Sequence, residues 1–332
     1  MELTDFGNFK TWKITDEKTK QNLFSIISPH VKSDNRNMFP GAHPVSIERK
    51  HFEQLRKEPY WVCAKSDGIR FLFICLTYET KPYSFFLNRS NDIFLLNCNN
   101  ENGVYKSTIL DGEMIYNWKY SRFDYVTYDA VVVNGIHVAD LHHSERLKHA
   151  YSAIQHITNA HNIFFDIKQF YPLKDIKHYY DNVIPNLFHK TDGLIFTPEE
   201  LPVTNGTHFK LFKWKECYDN TVDFSVHRNI KGNNPKYILK ITKGKYLNSL
   251  FENTLHLDMD METQVDEHIR THESCILECK YLYPNNWKGV LIRKDKTYPN
   301  NALTYNKTLL NIKENIQLDE FFNLIVTPSL CA

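Results

Sequence analysis

The stretch Lys65-Ser66-Asp67-Gly68-Ile69-Arg70 sits between an apolar run, Tyr60-Trp61-Val62-Cys63, and a strand-like run, Phe71-Leu72-Phe73-Ile74-Cys75-Leu76. An amine is nucleophilic only when neutral. A free lysine, with a pKa of about 10.4, is almost wholly charged at pH 7, so nucleophilic use of Lys65 demands desolvation or neighbouring cations. Candidates for those cations are Arg70 in the same stretch and Lys213 and Lys215 further on. Two residues apart on a strand, these lysines face one way and Trp214 the other. Together with Lys65 they make a phosphate clamp that lowers the amine pKa before attack and stabilises an in-line transition state afterwards. Taken singly, they are an exposed basic face, and Lys65 is a solvated lysine ahead of an Asp-Gly turn, in which glycine supplies positive φ.

Further motifs follow in order: I-L-D-G-E at 109–113, Y-D-A-V-V-V at 128–133, T-D-G-L-I-F at 191–196, L-F-K-W-K at 211–215 and R-K-D-K-x-x-P-N at 293–300. Glu113 and Asp192 are hard oxygen donors of the kind that hold Mg²⁺ or Mn²⁺, ions that take one or two protein carboxylates and keep water for the rest. The plain alternative for both Asp-Gly pairs is a hairpin corner.

The collinear series resembles the covalent nucleotidyltransferases, the superfamily of mRNA capping guanylyltransferases and of ATP- or NAD-dependent polynucleotide ligases. Its last block, with Trp287 ahead of it, is similar to the capping-enzyme version. Pro40-Gly41 followed by Pro44-Val45-Ser46-Ile47-Glu48-Arg49-Lys50 is similar to the small single-subunit capping guanylyltransferases of large algal DNA viruses. The resemblance implies that Lys65 attacks the α-phosphate of GTP, giving a lysyl-N-GMP intermediate, and that a 5′-diphosphate RNA then takes the GMP to form the GpppN cap. It implies ribose contacts from Arg70, Arg89 and Glu113, with Asp192 beside the metal and phosphates. Tyr128 would stack on the purine, although a strand tyrosine is otherwise a core residue. Lys168, helped by Ser66, would face guanine O6, where a donor prefers guanine to adenine; a surface lysine is the other reading. Asp223 matches the acidic residue after the lysine pair. Arg293 and Lys296, with Asp295 between them in the barrel, are the last of the nucleotide-binding set: the two cations would come onto the β- and γ-phosphates by domain closure, or else all three form a charged barrel surface. Partners implied are GTP, diphosphate-ended RNA, and an RNA triphosphatase and cap methyltransferase of the same pathway. Two other functions share parts of this pattern: an ATP-dependent polynucleotide ligase, and a non-catalytic single-stranded RNA-binding protein.

Composition is ordinary for a soluble globular protein. The 332 residues are 42% hydrophobic and 24% charged, enough for two domains with real cores. Forty basic against thirty-nine acidic residues leave a net charge of +1, so any phosphate-binding charge must be local. Seven cysteines without zinc spacing suggest reduced thiols. With no signal-peptide pattern and no long apolar run, an intracellular location, cytoplasm or nucleus (of a host cell if viral), is expected, and no membrane role.

The elements that must position these residues read as α+β. Residues 1–37 form an entry segment with a weak helical pattern over 17–27. A short helix follows over 48–57, then β-structure from 61 to 133. A helix over 144–160 is capped by Ser144, with a strand over 164–170, a helix over 173–183, and strands over 193–197 and 209–214. Past residue 221, short strands separated by turns, with an acidic loop at 258–262, suggest a small β-barrel. The expected architecture is a ligase-type, ATP-grasp-like nucleotidyltransferase domain with antiparallel sheets at 1–222, an OB-fold β-barrel at 223–316, and an amphipathic helix over 317–332 packing back on the first domain.

Overall fold

The computed structural model describes residues 1–6, 9–31, 39, 41–98, 104–157, 163–229, 235–294 and 296–326. They divide into two units, one made of the described parts of Met1–Ile47, His51–Trp214 and Asp319–Ala332, the other of Glu48–Lys50 and Lys215–Leu318.

The first unit holds two sheets. In the larger, the strands run in the order Glu2–Phe6, Phe9–Lys13, Ile93–Leu96, Lys81–Asn88, Ile69–Tyr78, Thr108–Asn117, Arg122–Val133 and Ile136–His137. Phe164–Ile167 pairs in parallel along Arg122–Val133. Ile69–Tyr78 is central and apolar on both faces, which is why it reads as an unbroken hydrophobic run. Phe71, Phe73 and Cys75 enter the core under the helix His143–Ile154, while Leu72, Ile74 and Leu76 enter the core under Glu17–Ile27. The smaller sheet runs Tyr171–Pro172, Tyr60–Ser66, Thr191–Pro198, Gly206–Trp214 and Ala42–Ser46. On one of its faces Phe196 and Trp214 pack on Phe321 of the helix Leu318–Val326, with ring centroids 4.9 and 5.7 Å away.

Asp67-Gly68 is not the hairpin turn its sequence suggests. It carries the chain from Tyr60–Ser66 in one sheet to Ile69–Tyr78 in the other. Positive φ is not what selects glycine at 68, which is absent from the left-handed positions. A Cβ there would lie 2.3 Å from the carbonyl oxygen of Met114, so the requirement is close approach of two backbones. Asp111-Gly112-Glu113 likewise lies inside the strand Thr108–Asn117, where a Cβ on Gly112 would meet the Tyr125 ring at 2.6 Å.

In the second unit the strands run Tyr246–Ser249, Tyr237–Lys243, Thr221–Arg228, Cys275–Leu282, Asn286–Ile292 and Thr254–His256. Among the described residues this sheet is open, its first and last strands unpaired with each other, so the expected OB-fold barrel is corrected to an open antiparallel-rich sheet. Strand spacing cannot tell the two apart, because closure is decided by tilt and stagger rather than by the alternation of residues. The supposed acidic loop at 258–262 begins the helix Met259–His272, its Asp258 side chain accepting from the Met261 N–H. Val265 and Ile269 of this helix and Tyr305 of Ala302–Glu314 pack on Phe224, Leu277 and Trp287.

Other boundaries also shift. Ser144 is not the helix cap: its N–H and hydroxyl both donate to Glu199, and His142 holds the cap position. Residues 173–183 form successive short turns of different pitch rather than one helix. The described cysteines are all free thiols. Among the described residues no helix is long and apolar enough to cross a membrane.

Candidate active site

The cleft of the first unit lies between its two sheets and is lined from both, by Cys63, Lys65, Ser66 and Ile195 on one side and by Arg70, Arg89, Asp111, Glu113, Tyr128 and Lys168 on the other. Its parts are brought together by strand pairing. Ile195 lies opposite Cys63 in one ladder and opposite Lys213 in the next, so Cys63, Ile195 and Lys213 share the cleft-facing side, and Lys65, two residues on from Cys63, ends on it. Across the cleft, Arg70 is paired with Glu113 and Leu72 with Asp111.

Lys65 Nζ donates to Asp192 Oδ1 over 2.6 Å, and both side chains are partly buried, at 24% and 18% exposure. A register shift between Thr191 and Leu194, with Gly193 at φ +136°, turns Asp192 out of the ladder toward the lysine. Arg70, expected beside the amine, is turned elsewhere: its Nε and Nη2 bind the two oxygens of Asp111 at 2.9 and 2.5 Å, and its Nη1 donates to the Ala42 carbonyl. Burial opposes the guanidinium charge, yet the Asp111 carboxylate holds it ionised. Tyr128 lies at a second register shift, between Asp111 and Gly112, and its hydroxyl donates to Asp111 Oδ1 at 2.8 Å.

Glu113 is pushed up to about 7 by burial, against the pull of Arg89, Lys65 and Lys168. Arg89 sits exposed in the turn after Lys81–Asn88. Asn88 Oδ1 shapes that turn by accepting from the N–H groups of Ser90 and Asp92, at 2.9 and 2.8 Å.

Lys168 is buried, and burial lowers its pKa. Its Nζ donates to Ser66 Oγ, which lies 2.7 Å from His189 Nε2. An ammonium can only donate, so the Ser66 proton is left for His189, whose ring is kept neutral by burial and by Lys168, with a pKa down to about 4.

Sequence reasoning passed over Asp111, His189 and the pair Arg146–Asp129. Asp111 stood inside a quoted motif, and His189 three residues before Asp192. The Arg146 guanidinium grips both Asp129 oxygens at 2.6 and 3.0 Å; burial works against the Asp129 carboxylate, but Arg146 holds its pKa below the usual range. Nothing local in the sequence announced that pairing.

Lys215, Asp223, Arg293 and Lys296 belong to the second unit. Buried Asp223 receives Arg293 Nη1 at 3.2 Å and also Lys296 Nζ, while Arg293 reaches Glu278 at 3.4 Å. Asp295 lies outside the described residues.

Two sheets enclosing a cleft with a lysine at a strand end, in a K-x-D-G-x-R frame, define a covalent nucleotidyltransferase of the capping and ligase superfamily. Within it, the chain belongs to the mRNA capping enzyme family: the catalytic-domain model matches residues 8–217 and the C-terminal-domain model residues 219–322. The chain is 28% identical over 316 residues to the mRNA-capping enzyme subunit alpha of Schizosaccharomyces pombe, covering 85% of this chain and 78% of that protein. To the same subunit of Yarrowia lipolytica it is 28% identical over 323 residues, covering 84% and 80%. Among solved structures, a mycobacterial DNA ligase D complexed with ATP and MES covers 77% of this chain and 94% of its own, with 11% identity and a TM-score of 0.42. Neither capping relative is viral, and the narrower likeness to algal-virus enzymes rests on the sequence motifs.

Glu113 and Asp192 carry hard oxygen atoms of the kind a magnesium-like ion takes. No three His, Cys, Asp or Glu side chains converge among the described residues, and such an ion needs only one or two carboxylates, its other positions going to water and phosphate.

Proposed function

We propose that the chain is an mRNA guanylyltransferase that moves GMP from GTP to the 5′-diphosphate end of RNA through Lys65. Nζ attacks the α-phosphorus and a P–N bond forms. The bond to the bridging oxygen breaks, and pyrophosphate leaves. The proton lost by the amine has Asp192 Oδ1, 2.6 Å away, as its first acceptor. A terminal phosphate oxygen of the RNA then attacks the same phosphorus, the P–N bond breaks, and the amine recovers a proton as GpppN departs. Dividing the transfer lets one site activate the nucleotide before the RNA arrives.

The observation that carries this reading is the placement of Lys65: a partly exposed amine at a strand end, facing a cleft whose opposite wall holds Arg89, Glu113 and Lys168. Mg²⁺ or Mn²⁺ at Asp192 and Glu113 would supply charge neutralisation at the phosphates. Lys168, fixed through Ser66, is assigned to guanine O6, Tyr128 to the base, Arg70 and Arg89 to the ribose, and Lys213 and Lys215 to the phosphates. Arg293 and Lys296 are assigned to the β- and γ-phosphates, so Arg293→Ala abolishes enzyme–GMP formation. Removal of the RNA γ-phosphate and methylation of the cap fall to partner enzymes.

The test is incubation with α-labelled GTP or ATP and a divalent ion. GTP labels the protein, ATP does not, and added pyrophosphate strips the label; labelling by ATP instead would make the chain a ligase-type adenylyltransferase.

A further inference from the structure

The face of the larger sheet that carries Glu113 continues beyond the cleft, and its far end is unusually aromatic for exposed surface. Strand register fixes this. Glu113 pairs with Val126, Ile115 with Asp124 and Asn117 with Arg122, while Phe164 pairs with Asp124 and Asp166 with Val126, so these residues share one face. Lys168, two residues past Asp166, ends the same row inside the cleft. At about 3.4 Å per residue, Asn117 lies roughly 14 Å along the strand from Glu113.

There the turn after Asn117 presents Trp118 and Tyr120, 52% and 56% exposed, beside Phe164 and Phe188 at 44% and 38%. Cations hold the rings in place. Lys119 Nζ is 5.3 Å from the Tyr120 ring centroid and 4.4 Å from that of Phe188, and the Arg122 guanidinium is 4.8 Å from Tyr120 and 4.1 Å from Phe164. The patch is tied to the active segment, for Trp118 N–H donates to the Phe188 carbonyl and Asp67 N–H to that of Lys190, two residues before Asp192. Arg122 also pairs with Asp124 and Lys190 with Asp67.

We propose that this surface seats the first nucleotides of the acceptor RNA as a single strand, with bases on Trp118, Tyr120, Phe164 and Phe188 and phosphates beside Lys119. The inference rests on the guanylyltransferase reading and adds the path of its second substrate. GTP is consumed inside the cleft, but a polymer must leave it over an edge; the row between, Ile115, Asn117, Asp124 and Val126, is buried, and the exposed rings stand at its far end, where the segment 188–190 links Trp118 to Asp67. Ordered π-faces interleaved with cations are the chemistry of single-strand recognition, tolerant of sequence because every base has a face to stack.

Trp118→Ala/Tyr120→Ala and Lys119→Ala variants test it, with thermal melts to verify folding and Trp118→Phe/Tyr120→Phe as the control that keeps the rings. Pre-formed enzyme–GMP is mixed with a 5′-diphosphate oligoribonucleotide, and binding of the same oligonucleotide to unguanylylated protein is measured in parallel. Enzyme–GMP formation stays at the wild-type level, while the RNA concentration for half-maximal transfer rises about tenfold or more in the alanine pair, as for loss of one base stack, and the Phe pair restores it. Wild-type RNA affinity and transfer in the alanine pair would overturn the proposal. A wild-type protein that forms no enzyme–GMP but loses RNA binding in the alanine pair would instead sink the guanylyltransferase reading and leave the surface standing.

Discussion

Lys65 Nζ and Asp192 Oδ1 stand 2.6 Å apart on neighbouring strands of one sheet, joined because a register shift at Gly193 turns Asp192 out of its ladder. The candidate nucleophile is therefore held by a carboxylate, whereas its sequence context suggested only cations around it. Asp192→Asn removes the carboxylate charge that fixes the amine, and with it the proposed proton acceptor. Enzyme–GMP formation should fall by roughly a hundredfold or more, as when a positioned acid–base group is lost, with folding unchanged in thermal melts.

Asp111 answers the buried guanidinium of Arg70, the two side chains being only 6% and 5% exposed. Removing one member of such a pair strands the other charge. Asp111→Ala should cost about 3–5 kcal/mol in urea unfolding, and a loss below about 1 kcal/mol would show that Arg70 finds another partner.

Gly68 faces a backbone oxygen that cannot move aside. Gly68→Ala should destabilise by about 1–3 kcal/mol through a shift of the crossing between the sheets, and should reduce enzyme–GMP formation because Lys65 lies three residues away. Unfolding midpoints and labelling, measured on the same preparation, check both.

Two groups give the first unit opposed pH responses. Glu113, at about 7 when folded against an ordinary 4.5, keeps its proton longer in the native state, so its contribution is full below 4.5 and is lost as pH rises toward 7. His189, at about 4 against an ordinary 6.5, is neutral when folded, so its contribution is full above 6.5 and is lost as pH falls toward 4. Glu113→Gln should leave stability rising more steeply with pH between 4.5 and 6.5, and His189→Gln should leave it falling; identical slopes in both variants would contradict the assignments.

In the second unit, Asp223→Asn leaves Arg293 and Lys296 without their shared carboxylate. Because both cations keep contact with water, the cost should be about 1–3 kcal/mol, read as a shifted urea midpoint at constant slope.

Much of the lining of the candidate cleft was legible because those residues lie in short collinear motifs, and strand alternation alone puts Lys213 and Trp214 on opposite faces. What could not be read was long-range. The Arg70–Asp111 and Arg146–Asp129 pairs join different elements, and the role of Gly68 depends on Met114, 46 positions away in sequence and unmarked by any local pattern. The barrel expectation failed for the same reason. Alternation in 222–226, 237–241 and 275–283 gives strands, while the helix Met259–His272, hidden behind its acidic first turn, and the unpaired edge strands make the sheet open.

The central claim is that the amine of residue 65 carries the guanylate. Protein incubated with α-labelled GTP and Mg²⁺ or Mn²⁺, then digested and mapped by mass spectrometry, should hold one GMP on Lys65 through an acid-labile bond, absent from Lys65→Ala. An adduct on another side chain, or undiminished labelling of Lys65→Ala, would contradict the account.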